Sequence, residues 1–333
     1  MSQKTFVPLP VPSAPADCKP SPELTATEDE LYSKVLAHFS NPEYVIPGLA
    51  KGQLKEEEKF WLSRECIIRF LRAVKWATAE KAIERLEETL KWRREFGLYD
   101  LVTADLVEPE AVTGKEILFG HDTSRRPAFY MIPSRQNTTE AERQIQYAVW
   151  MLERTFDLMG PGVESLDLMI NFADRAKNPS LGTARTVLSI LQNHYPERLG
   201  LAIIINIPFL VNAFFKLISP FIDPVTRAKM KFNSSVLDEG IFTPDMLMKE
   251  WWGGDVDFEY EHEKYWPALV SQCKENEQKW TARWKSLGGV VGVREWDYKT
   301  RNDSPSSASA TAEKILVSTT VAEVQEASPV AVA

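Results

Sequence analysis

The chain has 333 residues, of which 44% are hydrophobic, and it carries a formal net charge of −8. This length suffices for one large domain with smaller attachments, and the acidic balance disfavours nucleic acid as the main partner. Its three cysteines are too few and too scattered for a disulfide framework or a metal-ligand motif, which favours a reducing compartment. No signal-peptide pattern is present, and no apolar run reaches the ~20 residues of a membrane-spanning helix, so we expect a soluble cytoplasmic protein.

The N-terminal third of the chain divides into an arm and a helical module. Residues 1–27 are rich in proline and poor in aromatic residues, which predicts a disordered arm. From residue 28 the apolar residues recur at helical spacing. Ser63 and Thr78 are suited to cap two helices at their start, and Gly97 is suited to end the second. Residues 28–98 are therefore predicted to form a small helical module.

Beyond residue 98 strand patterns alternate with helical patterns. The predicted strands span residues 127–132, 165–172 and 201–207. The predicted helices span residues 140–159, 181–193 and 244–252. Such alternation implies crossover connections and a mixed or parallel sheet, so residues 99–258 are predicted to form an α/β domain.

Two segments follow this domain. Residues 259–300 are predicted to form a C-terminal helical extension, because their apolar residues keep a helical spacing. Residues 301–333 are rich in Ser, Ala, Thr and Val and have no aromatic residue, which predicts a disordered tail.

The stretch between residues 195 and 232 combines charged ends with an apolar middle. A run typical of a buried strand ends before Pro208, and the next segment is apolar on nearly every side of a helix. Glu197 and Lys229 flank this middle, with Thr226 one turn before Lys229. An ammonium beside a hydroxyl can hold a phosphate, and a carboxylate can accept hydrogen bonds from sugar hydroxyls. The pattern suggests a hydrophobic ligand with a polar head; two solvated charges around an ordinary core helix give the same pattern.

Sequence signs of catalysis are missing. No nucleophile-elbow, zinc-protease or phosphate-loop motif is present. His194 could act as a base, but a structural histidine at a helix end is the favoured interpretation. Asp167 and Asp174 flank a predicted strand and are interpreted as solvated strand ends rather than paired carboxylates. We therefore predict a protein that is not an enzyme and that has neither a cofactor nor a metal.

Several motifs resemble the CRAL-TRIO, or Sec14-like, lipid-transfer family, in the family's order and over roughly residues 60–255. In the helical module they are RFLRA (residues 69–73) and KWR (91–93). In the larger domain they are YPERLG (195–200), the step N-x-P-F (206–209) and PFIDPVTRAK (220–229). The later segments YWPALV (265–270) and GGVVG (288–292) resemble the fungal phosphatidylinositol-transfer branch that is linked to azole and multidrug resistance.

The resemblance implies a CRAL-TRIO fold. In that fold a mixed sheet floors a hydrophobic lipid cavity, a gate helix covers the cavity, and a small helical module precedes the domain. It also implies that Glu197, Thr226 and Lys229 bind an inositol-phosphate headgroup. The residues that it assigns to the apolar cavity or to the gate over residues 209–221 are Leu166, Leu168, Phe209, Phe214 and Phe221.

Two departures from the family pattern bear on the ligands. Members that also carry phosphatidylcholine have hydroxyl residues where this chain has Leu166 and Leu168. Phosphatidylcholine transfer is therefore not expected, and a sterol is the candidate second ligand. The Arg-Ala-Arg of the family's lead-in is here Arg72-Ala73-Val74, which removes one cation that could assist the headgroup.

By resemblance, we expect a phosphatidylinositol transfer protein that extracts and exchanges a phospholipid between membranes. The alternatives are a carrier of sterol or another apolar ligand, and a lipid-sensing regulatory scaffold for a lipid kinase or small GTPase. The expected partners are phosphatidylinositol, a sterol and a membrane surface that is contacted transiently, without nucleic acid. The expected location is the cytoplasm, with peripheral association to the endoplasmic reticulum, lipid droplets or other membranes.

Overall fold

The computed structural model describes residues 4–174, 181–208, 222 and 224–300. The described α-helices are α1 (Ala26–Ser40), α2 (Glu56–Trp61), α3 (Arg64–Ala73), α4 (Ala79–Glu95), α5 (Ala104–Ala111), α6 (Ala141–Phe156), α7 (Leu181–His194), α8 (Pro224–Ala228), α9 (His262–Ser286) and α10 (Glu295–Thr300). The described strands are β1 (Glu116–His121), β2 (Pro127–Met131), β3 (Leu166–Asn171), β4 (Leu199–Ile205) and β5 (Met230–Phe232). Short 3-10 turns cover Pro133–Arg135 and Pro244–Met246.

Helices α1 to α4 pack into a helical module with its own apolar core. The predicted caps are confirmed. The Ser63 hydroxyl accepts a hydrogen bond from the Cys66 amide at 3.1 Å, and that of Thr78 accepts one from the Lys81 amide at 3.3 Å. Gly97 follows the C-cap of α4 and has a positive φ of 78°, a conformation that glycine adopts without steric cost and that ends the helix. Each cap satisfies a backbone donor that the first helical turn leaves unpaired.

The sheet of the larger domain has the order β1-β2-β3-β4-β5. Strands β1 and β2 pair antiparallel, and every other neighbouring pair is parallel. Consecutive parallel neighbours require crossover connections, which are right-handed in nearly all proteins and therefore lie on one face of the sheet. The predicted mixed α/β sheet is confirmed.

The two faces of the sheet have different surroundings. Glu116 lies beside Tyr147 of α6, and it shares its face with Met131 and Ile170 through the strand register. The opposite face carries Tyr130, whose ring packs edge-on against Trp252 at a centroid distance of 5.6 Å. The crossover helices thus cover one face, and the chain that follows β5 covers the other.

Three local differences separate the structure from the sequence prediction. Strands β1 and β5 were not predicted, because each is a short run without clear alternation. The helix predicted over residues 244–252 is wrong. Only Pro244–Met246 is helical, because Met248 forms a bridge with Val256 and Trp251 takes a positive φ of 61°, which ends helical hydrogen bonding there.

The N-terminal arm differs from the prediction over the part that the structure describes. Thr5 forms an isolated parallel bridge with Phe258, in which its amide donates to the carbonyl of Asp257 at 2.9 Å and its carbonyl accepts from Glu259 at 3.0 Å. Leu9 packs against the core of the larger domain, as does Val11. The segment from Thr5 to Val11 thus lies on the larger domain, because these backbone pairs and apolar contacts offset the entropy cost of ordering a short segment. Leu24, by contrast, packs against the core of the helical module.

The C-terminal extension contacts both modules. In α9, Trp266 packs against Trp150 of α6 at a ring-centroid distance of 4.8 Å. Val291 is buried in the core of the helical module. Residues 301–333 lie outside the described residues, so the predicted tail remains a prediction. Among the described helices, none has the length and hydropathy needed to cross a membrane.

Candidate functional site

Glu197 stands at a sharp corner before β4. The preceding Tyr195 is buried, and its hydroxyl donates to Glu153 at 2.7 Å. Glu197 itself is exposed and has a positive φ of 59°, an uncommon conformation for a residue with a side chain. The buried tyrosine fixes the corner, and the corner turns the carboxylate out of the core.

The Glu197 carboxylate is paired with a residue of the helical module. The Arg72 Nε atom lies 2.5 Å from Glu197 Oε2, and its Nη2 atom lies 3.3 Å from Glu164 Oε2. Glu164 also accepts from Arg69, which is 3% exposed, at 3.0 Å. We call this group the charged junction, and its members are Arg69, Arg72, Glu164, Glu197, Arg198 and Glu295.

Residues that are far apart in the sequence hold the charged junction together. The Ser63 hydroxyl donates to Glu295 at 2.9 Å, and the Arg198 guanidinium donates to the Glu164 carbonyl at 2.8 Å. Burial raises the pKa of Glu295, but Lys299 and then Arg69 and Arg198 outweigh it and hold the pKa well below its usual range. Buried charges of this kind are stable only when paired and hydrogen-bonded.

Lys229 lies at the same end of β4 as Glu197. Its ammonium donates to the carbonyl of Leu199, two residues after Glu197, at 2.5 Å. Its amide donates to the carbonyl of Thr226 at 3.1 Å, and its carbonyl accepts from Ala202 at 3.0 Å. The structure therefore brings the two predicted headgroup charges, with Thr226 nearby, to the amino-terminal end of one strand.

A band of apolar side chains lies on the sheet face that carries Met131. We call it the apolar face, and its members are Leu168, Ile170, Phe172, Ile204 and Met230. Leu168, Ile170 and Met230 are half-buried, and Phe172 and Ile204 are buried. Met169 and Ile203, on the opposite face, are fully buried.

Leu166 and Leu168 lie two residues apart on β3, and both side chains are apolar and have no hydroxyl. Leu166 is buried, at 4% exposure. The other residues that the sequence assigned to the cavity or gate, Phe209, Phe214 and Phe221, lie outside the described residues.

His194 has a structural environment. Its ring stacks on Trp92 at 4.2 Å with an interplanar angle of 5°, and its Nδ1 atom lies 3.1 Å from the Thr89 hydroxyl. Burial, aided by Arg85 and Arg93, lowers the pKa of His194 to about 4. The imidazole is therefore neutral at physiological pH and packed at a helix end, as the favoured interpretation of the sequence stated.

Asp167 is a buried residue, so its interpretation as a solvated strand end is wrong. Its Oδ1 atom accepts from the Leu201 amide at 2.8 Å and from Arg126 at 3.4 Å. Burial and the neighbouring Asp122 raise the pKa of Asp167 to about 7. Asp174 is exposed, in agreement with the sequence. Asp167 joins two strands at their amino-terminal ends, a role that its isolated position in an apolar run did not reveal.

Sequence reasoning missed the charged junction. Arg69 and Glu65 interrupt the apolar stripe of α3, and both are buried. Charged residues on the buried stripe of a helix signal paired partners elsewhere in the chain. That signal was present in the sequence, but it does not identify the partners, which lie 95 and 230 residues away in Glu164 and Glu295.

The described residues do not group three or more His, Cys, Asp or Glu side chains in a way that could hold a metal ion. The Cys66 thiol is buried, and burial raises its pKa to about 11. A thiol of this kind is an inert core residue rather than a nucleophile.

The chain matches two family models. The one described as CRAL/TRIO, N-terminal domain matches residues 31–88, and the one described as CRAL/TRIO domain matches residues 111–254. Among solved structures, the crystal structure of Sfh5 has a TM-score of 0.52 and 15% sequence identity, and the match covers 76% of this chain and 98% of that chain. At this identity the likeness concerns the fold alone.

Curated relatives extend over most of the chain. A CRAL-TRIO domain-containing protein of Schizosaccharomyces pombe is 44% identical over 87% of this chain, but the match spans only 29% of that protein's length. The phosphatidylinositol transfer protein PDR17 of Saccharomyces cerevisiae is 39% identical over 84% of this chain and 85% of its own length. The SEC14 cytosolic factor of Candida glabrata is 31% identical over 51% of this chain and 62% of its own length. The chain therefore belongs to the CRAL/TRIO family.

Proposed function

We propose that this chain is a phosphatidylinositol transfer protein. It extracts a phospholipid from one membrane and delivers it to another. The observation that carries the proposal is the joint placement of the Glu197 carboxylate and the Lys229 ammonium at one end of β4, on a sheet with a half-buried apolar face. The name and the near full-length similarity of PDR17 support the same function.

The headgroup contacts divide between two charges. Lys229 binds the lipid phosphate, and the nearby Thr226 hydroxyl adds a neutral donor. Glu197 accepts hydrogen bonds from the inositol hydroxyls. Charge-assisted hydrogen bonds are roughly twice as strong as neutral ones, so a phosphate at Lys229 is favoured over an uncharged headgroup.

The acyl chains lie on the apolar face. Removing a methylene from water is worth ~0.8 kcal/mol, so chains of phospholipid length strongly favour an apolar enclosure over water. A bilayer offers the same gain, however, because it is equally apolar. Selection among lipids therefore depends on the headgroup. The segment over residues 209–221, with Phe209, Phe214 and Phe221, is proposed from its apolar composition to cover the chains as a gate.

The second ligand is proposed to be apolar. A choline headgroup phosphate placed on β3 needs a hydrogen-bond donor, and Leu166 and Leu168 offer none. An unpaired phosphate in such a site costs several kcal/mol. A sterol, which has one hydroxyl on an otherwise apolar body, suits these residues better.

Binding and release use no covalent chemistry. The protein acts as a carrier from the aqueous phase of the cytoplasm and meets membranes transiently. Val225, on the helix that precedes Lys229, and Phe232, at the far end of β5, support a membrane contact, since they are 65% and 51% exposed. Large exposed apolar side chains next to a ligand site are typical of surfaces that meet another apolar phase.

The lipid that accompanies the purified protein gives the first test. We expect mass spectrometry of the extracted lipid to find phosphatidylinositol, with sterol as a second species and little phosphatidylcholine. Sterol without any phosphatidylinositol would favour the carrier of another apolar ligand and would end the main proposal.

Transfer between vesicles gives the second test. We expect Lys229→Ala and Glu197→Gln each to lower phosphatidylinositol transfer at least about tenfold, because each removes a charged hydrogen bond to the headgroup. A nearby ion pair supplies matched controls: Lys231 on β5 and Glu239 lie 2.6 Å apart, on the surface. Lys231→Ala and Glu239→Gln should leave transfer within about twofold of the unmodified protein. Equal losses in both pairs of variants would show that the headgroup assignment is wrong.

A further inference from the structure

We propose that Arg72 is a positioning residue of the headgroup site, which holds the Glu197 carboxylate in the orientation that receives the inositol ring. The inference rests on the proposed function and extends it to the helical module. It assigns to α3 a part in lipid selection, beyond its packing against the larger domain.

The geometry joins two parts of the chain that are distant in sequence. Arg72 lies in the last turn of α3, and Glu197 lies 125 residues later. The Nε atom of Arg72 donates a hydrogen bond to Glu197 Oε2, and its Nη2 atom donates one to Glu164 Oε2. A planar guanidinium directs its N–H groups along fixed directions, so holding Glu164 with one nitrogen sets where the other can hold Glu197.

Arg72 is itself firmly held. Burial raises the pKa of Glu164, but Arg69 and Arg72 outweigh it and keep the pKa below its usual value, so Glu164 remains ionised as a fixed partner. Arg69 is 3% exposed and lies 3.6 Å from Glu295, which Ser63 also contacts. The position of Arg72 is thus set by the buried part of the charged junction.

Among the described residues, Arg72 is the side chain that pairs with the Glu197 carboxylate. The Glu197 backbone turns at a positive φ, and its side chain is 36% exposed. A free glutamate side chain must lose its rotamer freedom when a ligand binds, and this loss weakens binding. With Oε2 on Arg72, the carboxylate is already oriented. A carboxylate has about four acceptor positions, so Oε1 can still receive inositol hydroxyls.

If Arg72 had a purely structural role, its removal would lower the stability of the fold. Arg72 is 34% exposed, and Glu164 already has Arg69 as a partner. Ion pairs between partly exposed side chains contribute little to stability. Removing Arg72 should therefore leave folding nearly unchanged and act on lipid transfer.

The test is a double-mutant cycle on transfer of phosphatidylinositol between phosphatidylcholine vesicles. We expect Arg72→Ala to lower the transfer rate about fivefold, the factor that corresponds to ordering one long side chain, and Arg72→Lys to retain an intermediate rate. In the Glu197→Gln background, Arg72→Ala should change the remaining rate by less than about twofold, because the carboxylate that Arg72 positions is already gone. Lys81→Ala, which removes an exposed cation from the neighbouring helix, should have no effect.

Three outcomes would overturn the inference. A normal rate in Arg72→Ala would show that Glu197 is positioned without it. A fivefold loss that persists in the Glu197→Gln background would mean that Arg72 acts independently of Glu197. A loss of thermal stability that accounts for the lost rate, in both Arg72→Ala and the milder Arg72→Gln, would assign Arg72 a structural role.

Failure of the proposed function has a separate signature. If the unmodified protein moves no phosphatidylinositol between vesicles, the proposed function fails and this inference fails with it. If the unmodified protein transfers the lipid and the cycle is additive, only the role of Arg72 is wrong.

Discussion

The charged junction connects the helical module to the larger domain, whereas the apolar face belongs to the sheet of the larger domain, and the two are built on opposite principles. In the charged junction, each side chain has a specific partner at hydrogen-bond distance, and Arg69 is 3% exposed. On the apolar face, contacts are non-directional, and Leu168, Ile170 and Met230 are half-buried. Directional contacts discriminate between ligands, whereas apolar contacts accept any chain of suitable volume. A carrier that combines both kinds of contact is expected to be selective for a headgroup and permissive about acyl chains.

The largest effect is expected when a buried partner is removed from the charged junction. Arg69→Ala removes a buried cation that contacts both Glu164 and Glu295, and breaking a buried pair costs ~3–5 kcal/mol of unfolding free energy. Urea denaturation monitored by tryptophan fluorescence measures this change. Lys59→Ala, an exposed cation on α2, is the control. A loss below ~1 kcal/mol for Arg69→Ala would mean that the charged junction does not stabilise the fold.

A buried carboxyl gives the next effect, which depends on pH, because burial outweighs the attraction of the neighbouring Lys115. Burial raises the pKa of Glu116 from 4.5 to about 8, and its Oε2 atom has no hydrogen-bond partner among the described residues. The folded state binds this proton more tightly than the unfolded state, so the stabilisation is complete below pH 4.5 and is lost as pH rises through about 8.

Glu116→Gln removes this titration. We expect the variant to match the unmodified protein at pH 5 and to be more stable by ~2 kcal/mol or more at pH 9. Thermal unfolding at a series of pH values measures the difference, with the exposed Glu57→Gln as the control. Parallel curves for Glu116→Gln and the unmodified protein would contradict the assigned pKa.

Two neighbouring residues of β3 sharpen the comparison between the faces. Met169 is fully buried, and Met169→Ala should cost ~2–5 kcal/mol of unfolding free energy. Leu168 lies on the apolar face and is half-buried, so Leu168→Ala should cost ~1–2 kcal/mol. Chemical denaturation of both variants measures the difference. Equal costs would show that the apolar face is packed as tightly as the opposite one.

The smallest effect is expected far from both regions. Lys34 and Glu30 form an ion pair one turn apart on α1 at 2.8 Å, and both side chains are more than half exposed. Lys34→Ala should change the unfolding free energy by no more than ~0.5 kcal/mol, with the loss diminished at high salt. A larger loss at both low and high salt would point to an interaction other than this pair.

The sequence predicted those features whose signal is local. Ser63 and Thr78 cap helices because a side-chain oxygen meets an amide three residues away, a relation that neighbouring residues reveal. The three central strands were predicted to within two residues because they are continuous apolar runs. Glu197 and Lys229 were singled out by motif, and the structure places them just before β4 and β5, while their role in headgroup binding stays a prediction.

What the sequence could not predict depends on partners distant in the chain. The burial of Asp167 becomes evident only when Leu201 and Arg126 are placed around it. Arg72 pairs with Glu197 rather than with a residue on its own helix, because α3 ends against the corner before β4. Strand β5 has three residues and gains its strand geometry from pairing with β4.

The contact between Ser63 and Glu295 also sets the order in which the chain can mature during synthesis. These residues are 232 positions apart, and the Glu295 amide donates to Glu65 as well. At typical translation rates, α3 waits roughly 10–50 s for the helix that completes its surroundings. During that interval Arg69 lacks one of its two carboxylate partners. A nascent chain that ends before residue 295 therefore has an incomplete charged junction, and the surroundings of α3 are completed only after α10 has been synthesised.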